Sequence, residues 1–102
     1  MLGYDVKAEA PYVVFYDNEN RGALTHRQES YRMLSVPVED MRRVFIEESD
    51  TGAVLTVVYV TRLVTEGSVR LMKFKFDTFE DADRFAAEVR GRVREAGLWK
   101  RG

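Results

Sequence analysis

Two hydrophobic periods divide this chain. Up to Phe76 the apolar residues alternate with polar ones or cluster in short β-branched and aromatic blocks; beyond it they recur every third or fourth position. The change falls inside the stretch from Val69 to Trp99, around which the rest is organised. In Val69–Phe76, Met72, Phe74 and Phe76 alternate with Lys73 and Lys75, which predicts a strand with one dry and one wet face. Ala82, Phe85, Ala86, Val89, Val93 and Ala96 then fall on one helical stripe, the natural cover for that dry face. Thr78 is the predicted N-cap, with Asp81 placed to reach back; Asp77 and Glu80 offer a second capping box one residue earlier. Glu80, Asp81 and Asp83 near the start and Arg90, Arg92 and Arg94 near the end complement the helix dipole. Glu80–Arg84 and Glu88–Arg92 are expected ion pairs at i,i+4. Gly91 belongs to the wet face, at a cost of about 1 kcal/mol relative to Ala. Gly97 suits a left-handed stop, with Leu98 folding back on Val93.

Upstream, Tyr4–Glu9 alternates loosely and reads as a first strand. Pro11 separates it from Tyr12–Tyr16, a run of branched and aromatic residues with strong β preference. Asp17 to Gly22 is a turn by composition. Ala23–Gln28 is read as a strand in preference to a helix, whose apolar face would be too thin; Ser30–Val36 is the next strand. Pro37 interrupts ladder bonding, so Val36 to Asp40 is a corner or an edge. Met41–Glu48 is a strand with Val44 and Ile46 on its dry side, Asp50-Thr51-Gly52 closes a hairpin, and Ala53–Val64 is a central strand. Glu66-Gly67-Ser68 turns the chain into the last strand. The sum is a mainly β domain: about seven strands in a curled antiparallel sheet or barrel, capped by one C-terminal helix.

Whole-chain numbers narrow the classes. A length of 102 residues fits one domain, spanning 1–102, with a core of its own. There is no cysteine, so disulfides and thiolate metal sites are excluded. Sixteen basic and 17 acidic side chains leave a net charge of −1, which favours neither nucleic acid nor a membrane surface. Arginine outnumbers lysine twelve to four, a ratio that a GC-rich genome also produces. Met1 to Ala10 lacks the apolar core of a signal peptide. The apolar run inside Val54–Val64 is broken by threonines and Arg62 and is too short to span a bilayer, so a cytoplasmic protein is the default expectation.

Two segments carry a resemblance. Ser35-Val36-Pro37-Val38-Glu39-Asp40-Met41-Arg42-Arg43-Val44 is similar to the corner entering the fifth strand of the pleckstrin-homology-like superfold, particularly bacterial PH and GRAM-type domains. Phe74-Lys75-Phe76, followed by Thr78, Ala82, Phe85 and Val89, resembles the last strand and capping helix of that group. The resemblance covers roughly residues 12–96 and implies a binding scaffold with no catalytic role and no cofactor. Lipid-binding members carry several basic residues between the first two strands, whereas Ala8-Glu9-Ala10-Pro11 here is short and acidic, and Thr65-Glu66-Gly67 is not basic either. Anionic lipid is therefore only weakly supported. Other members bind peptides by extending the fifth strand beside the helix, which would implicate Arg43, Phe45 and Glu47.

Candidate chemistry is sparse. His26 is the sole histidine, so zinc would need carboxylates as its other ligands; a strand histidine at the surface is the simpler reading. Glu47, Glu48 and Asp50 cluster without the oxygen-ligand spacing of a calcium loop. Arg42 and Arg43, on alternate sides of a strand, are not expected to face one ligand, while Arg90 and Arg94 share a helix face. Tyr12, Phe15, Tyr16 and Tyr31 read as core rather than as stacking platforms for bases. Trp99 either pins the tail to the sheet or serves a partner interface, with pinning preferred. No phosphate loop or nucleophile elbow is present. The leading expectation is a non-enzymatic module that binds a protein or peptide or a second copy of itself. The alternatives are a lipid- or small-ligand-binding module using the barrel mouth, and a small ferredoxin-like α+β enzyme, which would need a second helix near residues 24–34.

Overall fold

Eight antiparallel strands and one helix follow one another in the computed structural model, which describes residues 3–26, 28–61 and 68–98. The strands are β1 (Tyr4–Glu9), β2 (Tyr12–Asp17), β3 (Leu24–His26), β4 (Glu29–Tyr31), β5 (Met33–Pro37), β6 (Met41–Ser49), β7 (Gly52–Thr61) and β8 (Ser68–Phe76); α1 spans Phe79–Leu98. They form a three-stranded sheet in the order β1-β2-β5, a small β3-β4 hairpin, and a second three-stranded sheet in the order β6-β7-β8. Leu24–His26 is a strand, within the Ala23–Gln28 strand expected, but Gln28 at its end is a turn residue with φ +68°, and the chain bends at Arg32, so the single strand predicted over Ser30–Val36 is two. With no second helix among the described residues, the requirement of the ferredoxin-like alternative is not met there.

The sheets do not close into a barrel, and that part of the expectation is corrected. Pro37 ends β5 and a single 3-10 turn, Val38–Asp40, carries the chain out of the ladder, so β5 and β6 do not pair. The turn is anchored where Val38 N–H donates to the Pro11 carbonyl at 2.9 Å. Between β1 and β8, Lys75 N–H donates to the Tyr4 hydroxyl at 3.2 Å.

The helix joins the two larger sheets. Ala82, Phe85, Ala86, Val89 and Ala96 are buried, and Val93 packs at the margin, so the predicted stripe is the buried face. Phe85 meets Phe74 at 5.2 Å, Phe76 at 5.7 Å and Tyr4 at 6.1 Å between ring centroids. Tyr4 stands edge-on to Phe74, and Phe15 of β2 reaches Phe74 at 6.0 Å. Rings from β1, β2, β8 and α1 thus make one cluster, and offset and edge-on pairs of this kind add to the gain from burial alone.

Local chemistry explains most boundaries. Thr78 caps the helix, its hydroxyl accepting from Asp81 N–H at 3.2 Å. The Asp17 carboxylate, wholly buried, holds the following loop by accepting from Arg21 N–H and Ala23 N–H, both at 3.0 Å. Gly52 closes the β6–β7 hairpin at φ +146°, where an added Cβ would collide with the Phe76 carbonyl oxygen. Other expectations are corrected. Gly97 stays helical and Leu98 is exposed, so no left-handed stop forms there. Arg84 pairs with Asp81 at 3.5 Å, not with Glu80, and Arg92 with Glu95 at 2.7 Å, not with Glu88. Of the four aromatic residues expected in the core, only Phe15 is buried; Tyr12 and Tyr31 are exposed, and Tyr16 lies under the Lys7 ammonium at 5.4 Å. No helix among the described residues is long and apolar enough to cross a membrane.

Candidate functional site

Strand β6 carries most of the residues singled out from the sequence. Arg43, Phe45 and Glu47 alternate along it and share its outward face, opposite Val58, Thr56 and Val54 of β7. The Arg43 guanidinium lies 5.0 Å from the centre of the Phe45 ring, close enough for a cation–π contact. Trp99 lies outside the described residues.

Arg42 and Arg43 are not separated as expected. The β6–β7 register shifts between Met41 and Arg43, a bulge that breaks strict alternation. Both arginines therefore line one groove, together with Val38, Met41, Val44, Arg90 and Val93. The groove holds about 280 Å³ and runs between β6 and the second half of α1. Arg42 donates to the Glu39 carbonyl at 2.7 Å, and Arg90 reaches over to the Val44 carbonyl at 3.3 Å. Among the described residues none of the three cations is in an ion pair with a carboxylate. Among the described residues β6 pairs with β7 alone, so it forms one edge of its sheet. The sequence does hold a signal for this bulge: Met41, Val44 and Ile46 are spaced by three and then two, and a step of three within a strand marks an extra residue.

A second and larger cavity, of about 580 Å³, lies between β5, the ends of β7 and β8, and the β3–β4 hairpin. Leu24, Leu34, Val36 and Val60 supply apolar wall, and Tyr59 and Arg70, paired across β7 and β8, supply polar groups. His26 lines this cavity and is half-buried, so it is not a fully solvated surface histidine. Burial pushes the Tyr59 phenol above its ordinary value, and the Arg70 charge pulls it partly back. The sequence analysis missed this site. Its signal is that Arg70 lies in phase with Met72, Phe74 and Phe76, so it projects from the dry face of β8.

The remaining candidates do not converge on a reaction. Glu47 and Glu48 are successive residues on opposite faces of β6, and Asp50 lies in the turn beyond. No group of three His, Asp or Glu side chains among the described residues is arranged to hold a metal ion. Compared with protein-family models, curated proteins and solved structures, the chain has no match.

Proposed function

We propose that this protein is a non-enzymatic interaction module, of pleckstrin-homology-like design, that binds an acidic, extended peptide segment along β6. The observation that carries this reading is the groove between β6 and α1. It combines an edge strand, an apolar floor of Val38, Met41, Val44 and Val93, and three arginines without carboxylate partners among the described residues. An extended segment laid beside an edge strand gains main-chain hydrogen bonds from the edge and specificity from alternate side chains. Here alternate apolar residues would meet the floor and acidic ones the arginines. The bulge, the charges on β6 and the nearby helix also discourage indiscriminate strand pairing, so a binding partner must match the arginine pattern.

The test is an amide-shift titration of the 15N-labelled protein with an eight-residue peptide alternating valine and glutamate, and with its lysine counterpart. The acidic peptide is expected to shift residues 42–48 and 90–93 and to weaken as salt rises. Arg42→Glu combined with Arg90→Glu is expected to reduce its affinity by about tenfold or more, as befits two charge-assisted contacts. Equal binding of both peptides, or shifts that avoid β6, would overturn the proposal.

A further inference from the structure

The larger cavity has no place in peptide binding at β6, and its chemistry is different. Along the inner face of the β7–β8 pair, cross-strand rows run Leu55 with Phe74, Val57 with Met72, and then Tyr59 with Arg70. The first two rows are fully buried against the core. At the third, aromatic and aliphatic packing gives way to the cavity, because β5 offers no strand partner on that side and the hairpin β3–β4 stands apart as its own sheet.

Arg70 is the unusual group. Its Nε is buried and has no hydrogen-bond partner, and the side chain forms no ion pair among the described residues. Leaving a guanidinium N–H dry and unmatched is unfavourable, and such groups in native structures are accounted for by a role or by a missing partner. Beside it, Tyr59 is a phenol, neutral at pH 7 from its ordinary value of 10.0 and held more firmly so by burial, so it offers a hydroxyl and no competing negative charge. Two acids also line the cavity, Glu39 and Asp40; each has interactions of its own within the chain, while one Asp40 oxygen, Oδ1, is buried without a hydrogen bond as the Arg70 Nε is. The volume of about 580 Å³ lies within the range of small-molecule sites.

We infer that this cavity is a second binding site, for a small amphipathic carboxylate whose apolar body lies against Leu24, Leu34, Val36 and Val60 and whose carboxylate pairs with Arg70. The guanidinium fork matches a carboxylate with parallel N–H bonds, which an alcohol or an amine cannot reproduce. The cavity lies apart from the β6 groove and shares no lining residue with it, so this inference and the peptide proposal stand or fall separately.

The experiment compares decanoate, decanol and decylamine, each below its aggregation limit, against the full-length 15N-labelled protein. Decanoate is expected to shift the amides of Leu34, Val36, Tyr59, Val60 and Arg70 and to bind tighter than decanol. Arg70→Met is expected to weaken decanoate by about tenfold, the equivalent of one charge-assisted contact, while leaving decanol within about twofold. Arg70→Lys should restore part of the preference for the acid. Leu34→Trp, checked for folding by amide dispersion, should weaken both ligands by filling the space. Should Leu34→Trp not fold, the Arg70 pair decides the matter alone. Decylamine or decanol binding as well as decanoate, an Arg70→Met protein that keeps its preference, shifts confined to the exposed Val69 and Leu71 surface, or no shift with decanoate at millimolar concentration would each overturn the assignment.

Discussion

Replacing Phe85 with alanine would remove the side chain through which α1 touches both larger sheets. Phe85 is 3% exposed and lies within 6.1 Å, ring centre to ring centre, of Tyr4, Phe74 and Phe76. Truncating a buried phenylalanine costs about 3–5 kcal/mol, the sum of lost transfer energy and the cavity left behind. The rings around Phe85 come from two strands in different sheets, Tyr4 from β1 and Phe74 and Phe76 from β8, and relaxing one pulls on the others, so collapse into the gap is restricted and the upper half of that range applies. Against a total stability of about 5–15 kcal/mol, the variant would be marginal. In urea, with a slope of about 1–3 kcal/mol per molar, the unfolding midpoint should fall by about 2 M with the slope unchanged. Circular dichroism at 222 nm follows the transition. Glu88→Ala on the exposed face is the control and should change stability by less than about 0.5 kcal/mol. A double-mutant cycle with Phe74→Leu should show a coupling of at least about 0.5 kcal/mol. A loss below about 1 kcal/mol in Phe85→Ala, or no coupling to Phe74, would refute the view that this ring ties helix to sheet.

Other perturbations test other parts of the structure. Gly52→Ala should destabilise by about 1–3 kcal/mol, because it forces a Cβ toward the Phe76 carbonyl at a φ that only glycine adopts readily; thermal melts would show it. Asp17→Ala should cost about 2–3 kcal/mol by leaving the Arg21 and Ala23 amides unbonded, with Asp17→Asn losing less, as measured by urea titration. Tyr59 should titrate above its usual midpoint of 10.0 when followed at 295 nm, and Arg70→Met should raise the midpoint further by removing the nearby cation. Because the folded state then holds the phenolic proton more tightly than the unfolded chain, the associated stability is complete below about pH 10 and declines as pH rises through the folded-state midpoint.

The legible parts of this fold were those in which one period or one cap dominates. The stripe from Ala82 to Ala96, the Thr78 cap, the Asp50-Thr51 hairpin and the Pro37 corner are local decisions, made by nearby residues, and the structure has them where the pattern puts them. The helix stop at Gly97 failed because glycine permits a left-handed residue without requiring one. The tyrosines failed for a different reason: an aromatic ring with a polar tip is satisfied at a surface as well as in a core, so type alone does not separate Phe15 from Tyr12 or Tyr31. Barrel closure depends on whether two distant edges meet in register, which no stretch of either strand encodes. The site was half legible. Arg43, Phe45 and Glu47 do share a face, but the meeting of Arg42, Arg43 and Arg90 needed a bulge, and the pairing of Tyr59 with Arg70 needed the β7–β8 register.

Nuclear Overhauser contacts from the Phe85 ring test the architecture most directly, since the helix that holds the two larger sheets together also forms one wall of the β6 groove. The account predicts simultaneous cross-peaks from Phe85 to Tyr4 on β1 and to Phe74 on β8. Cross-peaks to β8 without any to β1, or a Phe85 ring in contact with solvent alone, would contradict it.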